Sequence, residues 1–354
     1  MIYATLGLPG PLTAWCQTVT TQLLIAAGRR VDEVNSTGSL TDVGRQLILC
    51  EKDHLVVAVS RPDNDLANAL RDSKKPILLA LSDPRRSLIH LVENGDLDVL
   101  TAIRSISGDC SCLINLADCE TVAPIRFEQV LEAPLAVIAE IARLYDLAVS
   151  PMQVHRIAQD TQELVELMVA PENGGTDIET TWTSNLDENL ARAGQFMLTG
   201  LDRHLAGQRA APIVVTKELF LNGEPPHEAV SAPVDMTGRS RYVAFGPFIH
   251  LPAGTWLLRY MISFSEEAVG VPCLIDVCAS DQFGVHELTR THVVISTAGR
   301  MDVTLAFQHN DPLASLQVRL LTEKPVFDGR LAIGFAEFTL KPEGPTDPEL
   351  FLPT

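Results

Sequence analysis

The sequence predicts two domains of different class: an N-terminal α/β domain built on a parallel sheet with helices on both faces, in three layers, and a C-terminal all-β sandwich. Three observations carry that reading. The chain has 354 residues, more than the ~100–200 usual for one domain, so two cores are the natural expectation. Before "HLAGQRAAP" (His204 to Pro212) strand-length apolar runs alternate with helical patterns, the order of a parallel sheet with crossover helices. After Pro212 short strand-like runs follow one another, separated by Gly, Pro, Asp and Asn, as in a sandwich.

Taken in chain order, "MIYATLGL" reads as a strand that breaks at Pro9 and Gly10 and leads into a helical segment through Thr13 and Trp15. "LVVAVS", "PILLALS" and "CLINLA" have strand length. From Phe127 to Tyr145 apolar residues at Val130, Leu131, Leu135, Ile138, Ile141 and Ala142 follow the helical period. Ser150 before Pro151 predicts a capped helix start, and "LDENLARAGQFMLTGLDRHL" an amphipathic closing helix. The expected boundaries are 1–205 for the α/β domain, 206–212 for a linker, 213–341 for the sandwich and 342–354 for a Pro-rich surface tail.

Composition narrows the function classes. Asp plus Glu number 45 against 27 Lys plus Arg, a net charge of −18, so the surface repels polyanions and nucleic acid is not an expected partner. No apolar run reaches the ~20 residues needed to cross a bilayer. The opening lacks the basic start and cleavage pattern of a signal peptide, which predicts a cytoplasmic protein. Seven cysteines fit reduced thiols better than a disulfide framework. Cys110, Cys112 and Cys119 lie close in sequence without a CxxC pair or a spaced His, so no metal is expected there.

The turn at Pro9 to Thr13 points backbone N–H groups and a helix N-terminus at one spot, which suits an oxyanion, yet it lacks the lysine and paired glycines of a nucleotide-binding P-loop. In layout the first 205 residues resemble the sulfotransferase family. Gly7, Pro9, Thr13 and Trp15 stand where that family has its opening GxPRSGTTW. Lys52 and His54 in "EKDHL" match its Lys-x-His, Asp83-Pro84-Arg85 its RDPRD, "IRFEQVLEAPLAVIAEIARLYDL" a later "ryEdLl.dP" motif followed by a helix, and "ENGGTDIETTWTSNL" a glycine loop with a Trp. The resemblance implies a P-loop-like α/β domain that takes sulfate from 3′-phosphoadenosine 5′-phosphosulfate. It implies donor contacts at Pro9, Gly10, Thr13, Trp15 and Arg85, with His54 as base and Lys52 stabilising charge on the bridging oxygen. Lys52 and His54 are two apart, so an extended segment puts them on one face. Without the resemblance they form a polar turn ahead of a strand.

Departures from the family pattern sit at the charged contacts. Gly10 occupies the place of the cation after the first proline, Leu12 that of a loop glycine, Ser82 that of an arginine for the 3′-phosphate and His90 that of its partner serine. No Arg or Lys accompanies Gly174 and Gly175. Each missing charge-assisted hydrogen bond is worth ~1.5–3 kcal/mol, so the expectation is a degenerate donor site with no cofactor.

The second domain resembles the jelly-roll modules attached to bacterial surface-polysaccharide enzymes, which are similar to carbohydrate-binding modules. Gly246, Pro247, Pro252, Gly254 and Trp256 carry the pattern. Sugar rings bind on aromatic faces, and Trp256, Tyr260 and Tyr242 are the candidates, with Phe248 and His250 also of suitable type. In "TWLLRYMISF" both faces are fairly apolar, so the inner one is not decided by the sequence. Two readings of different class follow. One is a non-catalytic binding or scaffold module of bacterial polysaccharide or glycoconjugate assembly, with a glycan and other assembly proteins as partners. The other is an active sulfotransferase acting on a glycan hydroxyl with 3′-phosphoadenosine 5′-phosphosulfate as donor.

Overall fold

The computed structural model describes residues 1–35, 38–94, 97–169 and 188–342, in two compact units, Met1–Leu205 and Ala206–Thr354. Gly174, Gly175 and Trp182 of the glycine loop, and the tail beyond residue 342, lie outside the described residues.

The first unit runs β1 (Ile2–Gly7), α1 (Pro11–Ala26), β2 (Val31–Asn35), α2 (Leu40–Leu49), β3 (His54–Val59), α3 (Asn64–Asp72), β4 (Ile77–Leu81) and α4 (Pro84–Asn94). It continues with α5 (Val99–Ala117), β5 (Val122–Arg126), α6 (Phe127–Glu132), α7 (Pro134–Leu144), α8 (Pro151–Asp160), α9 (Gln162–Val169) and a closing helix α10 (Glu188–Leu205). All five strands are parallel in the order β2-β3-β1-β4-β5. The parallel α/β class predicted from the alternation is therefore present. Leu78 and Ala80 on one face of β4 pack with Leu12, Trp15 and Val19 of α1 and Ile138 and Ile141 of α7. The alternate positions Ala4, Val57, Val59 and Ile77 look toward α2 and α3. Gly7 lets α1 close on the sheet, because a Cβ there would stand 2.3 Å from Thr13 Oγ1 and 2.8 Å from Ala80 Cβ.

Local details both follow and correct the sequence reading. Ser150 caps α8 with a capping box, its Oγ accepting from Gln153 N–H. "CLINLA" is not a strand but the end of α5. That helix is buried nearly all round, from Ile103 to Leu116, so its apolar run carries no 3.6 period to read. The helix expected from Phe127 to Tyr145 is two helices. They break at Ala133 because Pro134 cannot continue the first.

The second unit comprises β6 (Ile213–Thr216), β7 (Leu221–Asn222), β8 (Val234–Asp235), β9 (Tyr242–Ile249), β10 (Gly254–Phe264), β11 (Pro272–Asp281), β12 (Gly284–Val294), β13 (Gly299–His309), β14 (Ser315–Thr322) and β15 (Arg330–Leu340). They form two antiparallel sheets, β13-β10-β15-β6 with β8 beside β15, and β12-β11-β14-β9-β7. Alternation along β10 buries Trp256, Leu258, Tyr260 and Ile262, and the facing sheet buries Ile275, Val277, Val318 and Leu320. Among the described residues no helix is long and apolar enough to cross a membrane.

Candidate functional site

Strand order puts β1 between β3 and β4, so the chain crosses over β1 between those two strands. In open parallel sheets ligands settle at such a switch point, outside the carboxyl ends of the strands. That edge here is built by the β1–α1 turn, Arg61 after β3, Ser82 to Arg86 after β4 and Arg126 at the end of β5.

The β1–α1 turn has only Leu8, Pro9 and Gly10 between strand and helix. Pro9 and Pro11 have no N–H, which removes two of the donors that a phosphate cradle would use. Gly10 has φ 148°, a conformation that side-chain-bearing residues rarely adopt. It provides no side-chain cap for α1. Thr13 Oγ1 donates to the Leu8 carbonyl at 2.6 Å and so ties the turn to itself. Trp15, a candidate donor contact, is wholly buried in the core and does not line the turn, and Leu12 points into the same core.

Arg61, Arg85 and Arg86 at this edge are each engaged by the protein. Arg61 Nε donates to Asp109 Oδ1 at 2.8 Å and its Nη2 to Ser105, reaching both the carbonyl and Oγ. Burial pushes the Asp109 carboxyl up to about 6, against the pull of Arg61. Arg85 forks onto Asp83, with Nε 2.9 Å from both carboxylate oxygens. Arg86 donates to the Met168 carbonyl at 3.0 Å and lies 4.3 Å from the centre of the Phe127 ring. Ser82 and Ser87 hydroxyls stand 3.5 Å apart beside Gly10. Asp202 from α10 adds a half-buried carboxyl, raised by burial and then by Asp83 nearby. Among the described residues the β1–α1 turn, Arg61 and Arg85 do not fit a polyanionic donor: it would have to displace Asp83 and Asp109 from their arginines and bind a turn short of N–H groups.

Lys52 and His54 are corrected by topology. His54 opens β3 and pairs in register near Met1, at the amino ends of the strands. Six residues at ~3.3 Å each put them about 20 Å from the turn after β1. Lys52 Nζ instead contacts Asp32 Oδ1 and the Val31 carbonyl, both at 2.8 Å. His54 lies against Tyr3 with ring centres 5.8 Å apart, and burial lowers its pKa. The basic residue that follows β3 at the correct edge is Arg61, which the sequence reading missed. Its signal was "SRP" directly after the strand, and Asp109 was visible as the lone charge within "SISGDCSCLINLA".

In the sandwich, Trp256 and Tyr260 are core residues, 0% and 1% exposed, and not a sugar platform. The Trp256 indole donates to the Pro252 carbonyl at 2.9 Å, and Tyr260 stacks on Phe220. Tyr242 is exposed at the start of β9 and lies on the outer face of the β12-β11-β14-β9-β7 sheet, under the Arg319 guanidinium at 4.9 Å. Register places Asp276, Arg319 and Phe245 abreast across three strands of that face. Arg319 binds Asp276 in a two-pronged pair of 2.8 and 2.6 Å. Gln317 and Cys278 form the next row. Half-buried Phe245 and Phe248 meet edge to face at 5.8 Å, and His227 meets Phe245 at 5.3 Å. Phe248 (φ 64°) and His227 (φ 61°) both hold left-handed backbone, costly for side-chain-bearing residues.

No protein-family model matches the sequence, and no curated protein does. Solved structures of similar fold fall into two groups. A mouse sulfotransferase complexed with PAP is 11% identical, with 57% of this chain and 83% of that chain covered and a TM-score of 0.40. A retinol dehydratase in complex with androsterone and inactive cofactor PAP is 10% identical, with 57% and 80% covered and a TM-score of 0.38. The N-terminal cellulose-binding domain of the Cellulomonas fimi β-1,4-glucanase C is 14% identical, with 35% and 90% covered and a TM-score of 0.23. The chain is thus similar in fold to sulfotransferases over its N-terminal region and to carbohydrate-binding modules over the rest.

Proposed function

We propose that the protein binds a glycan on the outer face of the β12-β11-β14-β9-β7 sheet, and that its α/β unit is a sulfotransferase-like scaffold without donor chemistry. The observation that carries the reading is the half-buried paired ring surface of Phe245 and Phe248, with Phe248 held in left-handed backbone and exposed Tyr242 further along the same strand. Strained backbone persists where the surroundings over-determine it, commonly at ligand sites. Aromatic faces with flanking polar groups are what a sugar ring needs. We place this activity in the cytoplasm, in bacterial polysaccharide or glycoconjugate assembly alongside other proteins of that process, with no cofactor.

Affinity electrophoresis of the full chain in gels containing β-glucan, xylan, galactan or alginate tests the reading. Retardation is expected in at least one gel, and Phe245→Ala is expected to raise the Kd about tenfold, the loss of one ring contact of ~1–1.5 kcal/mol. Unretarded migration in all four, or retardation that Phe245→Ala leaves intact, would count against it.

The alternative, an active enzyme using 3′-phosphoadenosine 5′-phosphosulfate, makes an opposite prediction for the β1–α1 turn. Calorimetry with adenosine 3′,5′-bisphosphate is expected to show no binding at millimolar ligand. A micromolar Kd that Thr13→Ala abolishes would establish the donor site instead.

A further inference from the structure

A cavity of about 390 Å³ lies beneath α2 and α3, running from the amino ends of β1 and β4, at Ile2 and Ile77, to Val57 and Val59 of β3. Its walls include Ala4, Val57 and Val59 of the sheet, Val43 of α2 and Leu66 and Ala69 of α3. Protein cores are close-packed with few voids larger than a water molecule, so a cavity of this size under two helices needs a reason. The two helices are lightly seated. Of the ten residues of α2 only Val43 is buried, and of the nine of α3 only Leu66. Leu40 and Leu47, one turn before and one turn after Val43 on α2, are 41% and 45% exposed and extend the apolar track outward.

The polarity of this site is one-sided. Among the lining side chains the polar ones are Ser73 and Lys75, and none is acidic. Ser73 Oγ is already spent on the Leu70 carbonyl and the Lys75 N–H. Lys75 is exposed on the lining, next to exposed Lys74 in sequence, with no acidic partner among the described residues, in a chain of net charge −18. The volume holds on the order of a dozen groups of the ~30 Å³ that a water takes in the liquid, about the size of a methylene. We infer that the cavity binds one unbranched aliphatic chain of about eight to twelve carbons, carrying an anionic group at the end that meets Lys75. The apolar chain fills the space between sheet and helices, and the head stays at the wet rim where an exposed ammonium offers a modest, salt-sensitive contact.

Calorimetry on the full chain with decanoate, and with decan-1-ol as the uncharged chain, tests this site. Decanoate is expected to bind with sub-millimolar Kd. Lys75→Gln should weaken it threefold or more and leave decan-1-ol within twofold, whereas Ala69→Phe, which fills the cavity from α3, should abolish both. Ala69→Phe must be shown to be folded by circular dichroism. As a measurement independent of any variant, a diazirine-bearing decanoate photolabels the unaltered protein, and adducts are expected in 40–43 and 66–75. Co-sedimentation with phosphatidylglycerol vesicles that Ala69→Phe removes would assign the chain to a membrane lipid, and its absence to a free amphiphile. No decanoate binding, adducts mainly elsewhere, or binding unchanged in folded Ala69→Phe would overturn the proposal.

Discussion

Arg61→Met is expected to destabilise the α/β unit by about 3–5 kcal/mol at pH 8, the usual cost of removing one partner of a buried ion pair. Asp109 is 4% exposed and sits within α5, so the variant leaves a carboxylate among Ile106, Cys110 and Leu113 with no guanidinium to face it. The loss depends on pH with a definite sign. With Arg61 in place burial already holds the Asp109 carboxyl near 6, above its usual 3.8, so the folded state takes up the proton first and stability falls as pH rises between those values. Removing Arg61 takes away the one group that lowers this pKa, which moves the window upward. The deficit is therefore largest above pH 7 and shrinks toward pH 5. Hydrogen exchange of β1 and β3 amides measures it without interference from the sandwich. Adding Asp109→Leu to Arg61→Met should recover most of the loss, because an apolar pair of similar volume removes the stranded charge. A single variant as stable as the parent at pH 8 would mean that Asp109 is solvated or otherwise paired.

The same pair shows which features a sequence yields and which it withholds. The central strands β1, β3 and β4 were legible because a strand buried on both faces is a short apolar run. The edge strands were not. β2 is "VDEVN" with two acids, and β5 is "VAPIR" with a proline, which a strand with one neighbour tolerates. "CLINLA" reads as a strand by length and apolar run alone, a pattern that the end of a helix buried nearly all round shares.

Site errors have a different origin. "EKDHL" and "SRPDN" flank the same strand, and residue type alone does not say which end of β3 meets the β1–α1 turn; parallel pairing with β1 does. Trp256 and Tyr260 were chosen by type on a strand whose two faces read alike, and the packing of Phe220 against Tyr260 decides that they point inward. Tyr242 is a candidate by type as well, and of the three it alone ends up exposed. Its neighbours Phe245 and Phe248 share the outer face only through register and an irregularity between Leu316 and Gln317, opposite Ile249 and Pro247, which no periodicity encodes.

Acidification is expected to weaken the sandwich unit by about 3 kcal/mol between pH 6.5 and 4, through His309 alone. This residue ends β13 and is 1% exposed, its Nε2 is buried without a hydrogen-bond partner, and burial drives its pKa down to about 4 despite Asp311 nearby. A histidine whose folded pKa is depressed stays neutral in the folded unit while the unfolded chain takes up its proton near 6.5. Stability is thus level above pH 6.5, declines at ~1.4 kcal/mol per unit through the window, and levels again below about 4. His54 and His90 in the other unit are also lowered by burial, so whole-protein melts would mix the signals. Hydrogen exchange of the β10 and β13 amides at pH 7, 5.5 and 4.5, corrected for intrinsic rates, isolates the sandwich. Exchange free energies should fall steadily across the three values. His309→Gln keeps a buried polar side chain that does not titrate, so it should lower stability at pH 7 and flatten the slope. A slope that survives this substitution unchanged would assign the acid sensitivity to carboxylates of the unit and remove His309 from the account.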